Sequence, residues 1–275
     1  MKYGSHISFS KQNNYLVGAG KETLNNKANS MMIYLGGPHS SIRTSVENYN
    51  LEHYISEYSK DIPVKNIIVH APYIVNPASI SKGEFAVSFL IEEIERMNYI
   101  GAEYLVLHPG AYTDSIKEES INKLIDNLKS IISKTKNVVI LLETMSGKGT
   151  EIGSNFEELS FIVKSVNSDR IGICLDTCHI WDAGYDLNDY ESIIKKLKDL
   201  DLLRKIKVIH VNDSKNDLGS KKDRHENIGN GKIGFITIKK FIELPCFDDV
   251  FKILETPYVN DKPIYDKEIQ MLFHK

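Results

Sequence analysis

No apolar run in this 275-residue chain approaches the ~18–20 residues that span a bilayer, so a membrane-spanning helix is not expected. The opening segment MKYGSHISFSKQNN lacks an apolar core of its own, and no secretory signal is predicted. Cysteine is scarce. Three residues, an odd number, suit free thiols in a reducing compartment better than a disulfide framework, and the expectation is a cytoplasmic protein. A strong charge of either sign is also missing: the net charge of -3 argues against a globally basic nucleic-acid binder but leaves local patches open. No linker, charge block or low-complexity segment divides the chain, which predicts one domain over 1–275.

What is present is an alternation of short apolar runs with helical patterns. The runs are 2–8, 31–35, 66–70, 104–108, 138–143, 171–176, 207–211 and 251–255. Most are continuously apolar, as strands covered on both faces are. The clearest helix is 120–134, where Ile121, Leu124, Ile125, Leu128, Ile131 and Ile132 form one stripe. Ser154 and Glu157 suggest a capping box for a helix over 154–166, and two further helices are expected near 84–99 and 189–203. Eight strands separated by helices or long loops fit a single-domain (β/α)₈ TIM barrel. A doubly wound sheet predicts the same buried parallel strands, and periodicity does not separate the two.

The informative feature is how the runs end. Six close on His70, His108, Glu143, Asp176, His210 and Glu255, separated by 38, 35, 33, 34 and 45 residues, each about one strand–helix unit. In a barrel these ends converge on the face where active sites are built. A lone His or Glu at a strand end is more often a hydrogen-bonded polar residue than a ligand. Six in register read as a metal centre, because a buried carboxylate is costly without a balancing cation or donor. Mixed imidazole and carboxylate donors suit zinc, and manganese or iron less exclusively.

Three more candidates follow the strand ends. His179 stands three residues after Asp176, and Asp223 and His225 stand at i, i+2 in a later loop. In an extended segment i and i+2 point the same way, so these two with His179 form a plausible three-ligand group. Cys174 and Cys178 flank Asp176 but need not face one point, and read as small buried thiols. Trp181 reads as packing under the same loop.

The segments 141–153 (LLETMSGKGTEIG), 172–186 (GICLDTCHIWDAGYD), 210–235 (HVNDSKNDLGSKKDRHENIGNGKIGF) and 253–257 (ILETP) resemble the signature stretches of the endonuclease IV family. These are zinc-dependent apurinic/apyrimidinic endonucleases of base-excision repair, and the similarity runs from the first strand to the last. The resemblance implies a TIM barrel with three zinc ions at the C-terminal ends of the strands. His70 and His108 would hold one, with Glu143 bridging to a second completed by Asp176, His210 and Glu255. His179, Asp223 and His225 would hold the third. It also implies incision 5′ to an abasic site, with Glu255 and Glu143 in catalytic roles and Glu255 orienting or deprotonating the attacking water. The implied partner is double-stranded DNA with abasic sites or blocked 3′ ends, bound by a monomer with no membrane attachment.

Tyr73 in HAPYIVN resembles the family's intercalating aromatic, with Ile74 as its apolar neighbour. The chain departs from the family where some members place a basic wedge: the loop reads YLGGPHSSIR over 34–43, with no arginine before Arg43. Phosphate contacts need basic groups despite the acidic total. The stretch 204–225 supplies Arg204, Lys205, Lys207, Lys215, Lys221, Lys222 and Arg224, and Lys148 in SGKG is another candidate. The competing readings are a metal-dependent sugar isomerase or epimerase on the same barrel, and a metal-dependent DNA-binding protein without turnover.

Overall fold

The computed structural model describes residues 1–274. Eight parallel strands close on themselves: β1 (Lys2–His6), β2 (Ser30–Ile33), β3 (Ile67–His70), β4 (Tyr104–Leu107), β5 (Val139–Glu143), β6 (Ile171–Asp176), β7 (Ile206–Val211) and β10 (Phe251–Leu254), with β10 pairing back to β1. Closure settles the choice that periodicity left open in favour of the (β/α)₈ barrel. Two short strands, β8 (Asp213–Ser214) and β9 (His225–Glu226), form an antiparallel ribbon above β7. The main helices are α1 (Leu16–Asn25), α2 (Leu51–Glu57), α3 (Gly83–Ile100), α4 (Lys117–Lys134), α5 (Phe156–Val166), α6 (Thr177–Ala183), α7 (Tyr190–Asp199), α8 (Phe235–Ile242) and α9 (Tyr265–Phe273).

The strands are apolar throughout because both faces are covered. One set of alternate residues, Met32, Ile68, Val106, Leu141, Cys174, Val208, Phe251 and Ile253, packs in the barrel interior. Their neighbours, such as Ile33, Val69, Leu105, Leu142 and Ile209, pack outward in the larger core with the helices. Strand side chains alternate with period two. One step of two beyond Ile68, Val106, Leu141, Cys174, Val208 and Ile253 therefore brings His70, His108, Glu143, Asp176, His210 and Glu255 to the inner face. The apolar interior is a plug, and the polar residues form the layer above it.

Several local expectations need correction. The first strand ends at His6 rather than at residue 8, and the helix expected over 189–203 stops at Asp199. The predicted capping box of Ser154 and Glu157 is shifted by one residue. Asn155 is the N-cap of α5 and its side chain accepts the Glu158 N–H at 2.8 Å; Asn is as good a cap as Ser. Among the described residues, no helix is long and apolar enough to cross a membrane.

Candidate metal centre

All nine side chains singled out as ligand candidates gather at the C-terminal mouth of the barrel, around a cavity of about 370 Å³ lined in part by His70, His108, Glu143, Asp223 and Glu255. Three groups of donors form among the described residues: His70, His108 and Glu143; Glu143, Asp176, His210 and Glu255; and Asp176, His179 and His225. Glu143 links the first two groups and Asp176 the last two. Asp223 joins the third group through Oδ1, 3.1 Å from His179 Nε2 and 3.6 Å from His225 Nε2.

The separations suit a shared cation. Glu143 Oε2 lies 3.2 Å from His70 Nε2 and 3.2 Å from His108 Nε2. Donors about 2.0–2.1 Å from a tetrahedral zinc stand roughly 3.3 Å apart by geometry alone. Ring orientation points the same way. His70 Nδ1 lies 2.7 Å from the Ala71 carbonyl oxygen, His179 Nδ1 2.8 Å from that of Thr144, and His225 Nδ1 3.3 Å from that of Glu255. A carbonyl only accepts, so each Nδ1 carries the proton and each Nε2 presents a lone pair to the centre, the arrangement that orients metal-bound imidazoles. His225 Nε2 is buried with no hydrogen-bond partner, and His210 turns Nδ1 toward Glu143 and Glu255, at 3.1 and 2.9 Å. The donor set fits a divalent cation.

Electrostatics agree. Glu143 is buried, which opposes its charge, but His210 and His108 hold its carboxyl well below the usual range. Glu255 is likewise opposed by burial and drawn down to about 2 by His210. His179 is pushed down by burial, but Asp176 and its other acidic neighbours raise it well above the ordinary imidazole value. Acidic and imidazole groups balance one another here, and a cation replacing the imidazole protons would keep that balance.

Asp223 and His225 do not meet through the extended geometry expected from their spacing. Their segment is not extended at Asp223, whose φ is 57°. The two side chains converge because a left-handed residue folds the loop back. The basic stretch also divides. Arg204 and Lys205 lie in a 3₁₀ turn before β7, and Lys207 lies on β7 below His210. These three are therefore toward the opposite end of the barrel from the centre. Lys215, Lys221, Lys222 and Arg224 lie in the loop between β8 and β9 and are exposed. Lys148 sits at the mouth with Nζ 3.0 Å from Asp223 Oδ2.

Tyr73 and Ile74 protrude beside the cavity, 49% and 37% exposed. Tyr73 stacks obliquely on His39, with ring centroids 5.3 Å apart. Arg43 does not reach this edge. Its guanidinium is buried against Glu93, with Nε 2.9 Å from both carboxylate oxygens. Cys174 and Cys178 are buried free thiols, and burial raises both. Trp181 packs beneath the loop and donates Nε1–H to the Asn216 carbonyl oxygen at 2.9 Å.

The strand-end reading missed His6 and Tyr34. They complete the inner layer on β1 and just past β2, with ring centroids 5.0 Å apart and Tyr34 a further 5.0 Å from His70. Period two would have found them, since Tyr34 stands two residues after Met32 and His6 pairs with Met32 in register. Also missed were the buried acids Asp182, Asp213 and Glu268. Asp213 accepts backbone N–H groups from Gly229, Gly231, Ile233 and Gly234, and Glu268 accepts that of Ile228.

A family model described as xylose isomerase-like TIM barrel matches residues 27–274. The chain is 58% identical to the probable endonuclease 4 of Mycoplasmopsis synoviae (strain 53), over all of this chain and 99% of that protein. Endonuclease IV from Thermus thermophilus superposes with a TM-score of 0.82 at 28% identity, covering 98% of this chain and 97% of the other. A D-tagatose 3-epimerase-like protein superposes at 0.74 with 23% identity, covering 99% and 96% of the two chains, a likeness of fold. The chain therefore belongs to the xylose isomerase-like TIM barrels and, within them, to the endonuclease IV family.

Proposed function

We propose that this chain is a metal-dependent apurinic/apyrimidinic endonuclease of base-excision repair. It hydrolyses the phosphodiester 5′ to an abasic sugar in duplex DNA, leaving a 3′-hydroxyl and a 5′-deoxyribose phosphate. The observation that carries this reading is the convergence of nine imidazole and carboxylate side chains on one barrel mouth, in a chain of this family.

His70 and His108 with Glu143, then Glu143 with Asp176, His210 and Glu255, then His179, Asp223 and His225 would hold three divalent ions. Zinc suits the donors best, with manganese or iron as replacements at some positions. When bound, such ions offset the charge of the phosphate and let a water ionise near neutral pH. Glu255, with its side chain 15% exposed against 1% for Glu143, faces the opening. There it orients the attacking water and takes its proton. The water oxygen forms the new bond to phosphorus, the bond to the upstream 3′ oxygen breaks, and that oxygen departs as the hydroxyl on gaining a proton. Glu143 holds the histidines of three strands about one carboxylate.

Tyr73 and Ile74 fill the space opened in the stack, offsetting the few kcal/mol of unstacking. Lys148, Lys221, Lys222 and Arg224 contact phosphates. The same mouth would accept a blocked 3′ end, giving 3′-phosphodiesterase activity, and the protein would act as a monomer.

A sugar isomerase or epimerase is the second reading. The donors around His179, Asp223 and His225 exceed the one or two ions such an enzyme uses. Incubation with an abasic-site duplex, an intact duplex and a ketose separates the alternatives. Incision of the abasic duplex alone is expected. Conversion of the ketose without incision would replace this reading with the isomerase one, and tight DNA binding without turnover would leave a binding protein.

A further inference from the structure

Asp223 has to be held in place, because the exposed loop that carries it has little apolar anchorage. Residues 215–224 read KNDLGSKKDR, and Leu218, the one large apolar side chain in that segment, is itself 42% exposed. Trp181 takes part, its Nε1–H and carbonyl oxygen bonding Asn216 and Gly219, but the side chain that reaches the Asp223 backbone is a buried carboxylate beneath the loop. Asp182, in α6, is fully buried. Its Oδ1 accepts from Ser214 Oγ at 2.7 Å, and its Oδ2 accepts from Asn216 Nδ2 at 3.1 Å and from the Asp223 backbone N–H at 2.8 Å. The Asp182 carbonyl oxygen accepts the Lys221 N–H at 2.9 Å. One residue thus grips the loop at its start, near its start and at its end.

The contact to Asp223 has a specific consequence. The left-handed backbone at Asp223, φ 57°, is tolerated by aspartate better than by most residues but is still disfavoured against the extended region, and a bond to its amide biases the choice. The buried carboxylate supplies that bond, and its charge strengthens it. With the backbone fixed, Asp223 Oδ1 turns toward His179 and His225 while Oδ2 faces Lys148 Nζ. The same short helix carries His179 itself, so α6 supplies one ligand candidate and orients another.

We infer that Asp182 is the positioning residue for Asp223: its carboxylate sets the left-handed backbone that directs Asp223 into the third donor group. This rests on the metal reading of that group given above.

The test is zinc retention per chain, by elemental analysis across increasing concentrations of a competing chelator, in the parent, Asp182→Ala and Asp182→Asn. Asp182→Ala is expected to release one class of zinc at about 10- to 100-fold lower chelator, the scale of lost supporting contacts around a metal ligand, while zinc at His70 and His108 is kept. Asp182→Asn keeps an oxygen for the Asp223 N–H while its amide can donate to Ser214 Oγ, and should stay within a few-fold of the parent. Equal release from all three proteins overturns the inference alone. A parent that retains no zinc overturns the metal reading and the inference with it. Should the alanine variant fail to fold, hydrogen exchange at the Asp223 amide of Asp182→Asn decides. Protection and zinc retention both near the parent's support the inference. Protection lost with zinc unchanged, or zinc lost with protection unchanged, overturns it.

Discussion

Glu143 Oε1 lies 3.1 Å from His210 Nδ1, although the two residues stand on β5 and β7, which are separated by β6. Side chains from non-adjacent strands meet because the polar layer lies inside the barrel mouth rather than along its rim. Glu143 is thus shared among His70, His108, His179 and His210. Glu143→Gln replaces one acceptor oxygen with a donor facing imidazoles. Retained metal should fall together with abasic-site incision, the latter by on the order of 100-fold or more. Elemental analysis and single-turnover incision on one preparation check this, and full metal with full incision would contradict it.

The exposed position of Tyr73 beside the cavity yields a prediction about the lesion itself. Tyr73→Ala should weaken binding to an abasic duplex by on the order of 10-fold, the scale of one aromatic–base stack, and binding to an intact duplex much less. Equal losses on both duplexes would remove the wedge role.

The division of the basic stretch between the two ends of the barrel can be read in salt. If Lys222 and Arg224 each neutralise a phosphate, replacing either with Ala should lower the slope of log affinity against log salt by about 0.9. Arg204→Ala, changed before β7 and away from the mouth, should leave the slope as it was. A loss from Arg204→Ala equal to that from Arg224→Ala would mean that DNA binds elsewhere.

Lys252 gives a pH dependence independent of the metal centre. It is fully buried, donates to the Phe247 carbonyl oxygen, and burial lowers its pKa from 10.5 to about 8. Between those values the unfolded chain holds more protons than the folded one, so this group makes stability rise with pH through that window. Lys252→Met should stabilise the protein at pH 7 by about 1–2 kcal/mol, the relieved desolvation less the lost hydrogen bond, and should abolish that part of the rise above pH 8. Denaturant unfolding at pH 7 and pH 10 measures it. A destabilised variant at pH 7 would show that the hydrogen bond outweighs the burial.

The barrel and its inner ligand layer were legible because a strand covered on both faces writes an apolar run. A polar residue closing that run at the right parity can only face inward or be buried against helices. Closure itself was not legible, since doubly wound sheets carry the same runs. The third donor group was found from spacing, but the extended geometry assumed for Asp223 and His225 was wrong, because a left-handed aspartate leaves no mark in sequence. Arg204, Lys205 and Lys207 were grouped with Lys221, Lys222 and Arg224 because a linear stretch conceals that β7 runs from one end of the barrel to the other. Asp182 carries no sequence signal: its role exists only once Ser214, Asn216 and Asp223 fold over it.

The count of divalent metal ions per purified chain tests the account most directly. The nine converging donors predict close to three ions, predominantly zinc, with chelation abolishing abasic-site incision and added zinc restoring it. One ion or none in fully active protein, or full incision after chelation, would contradict the account.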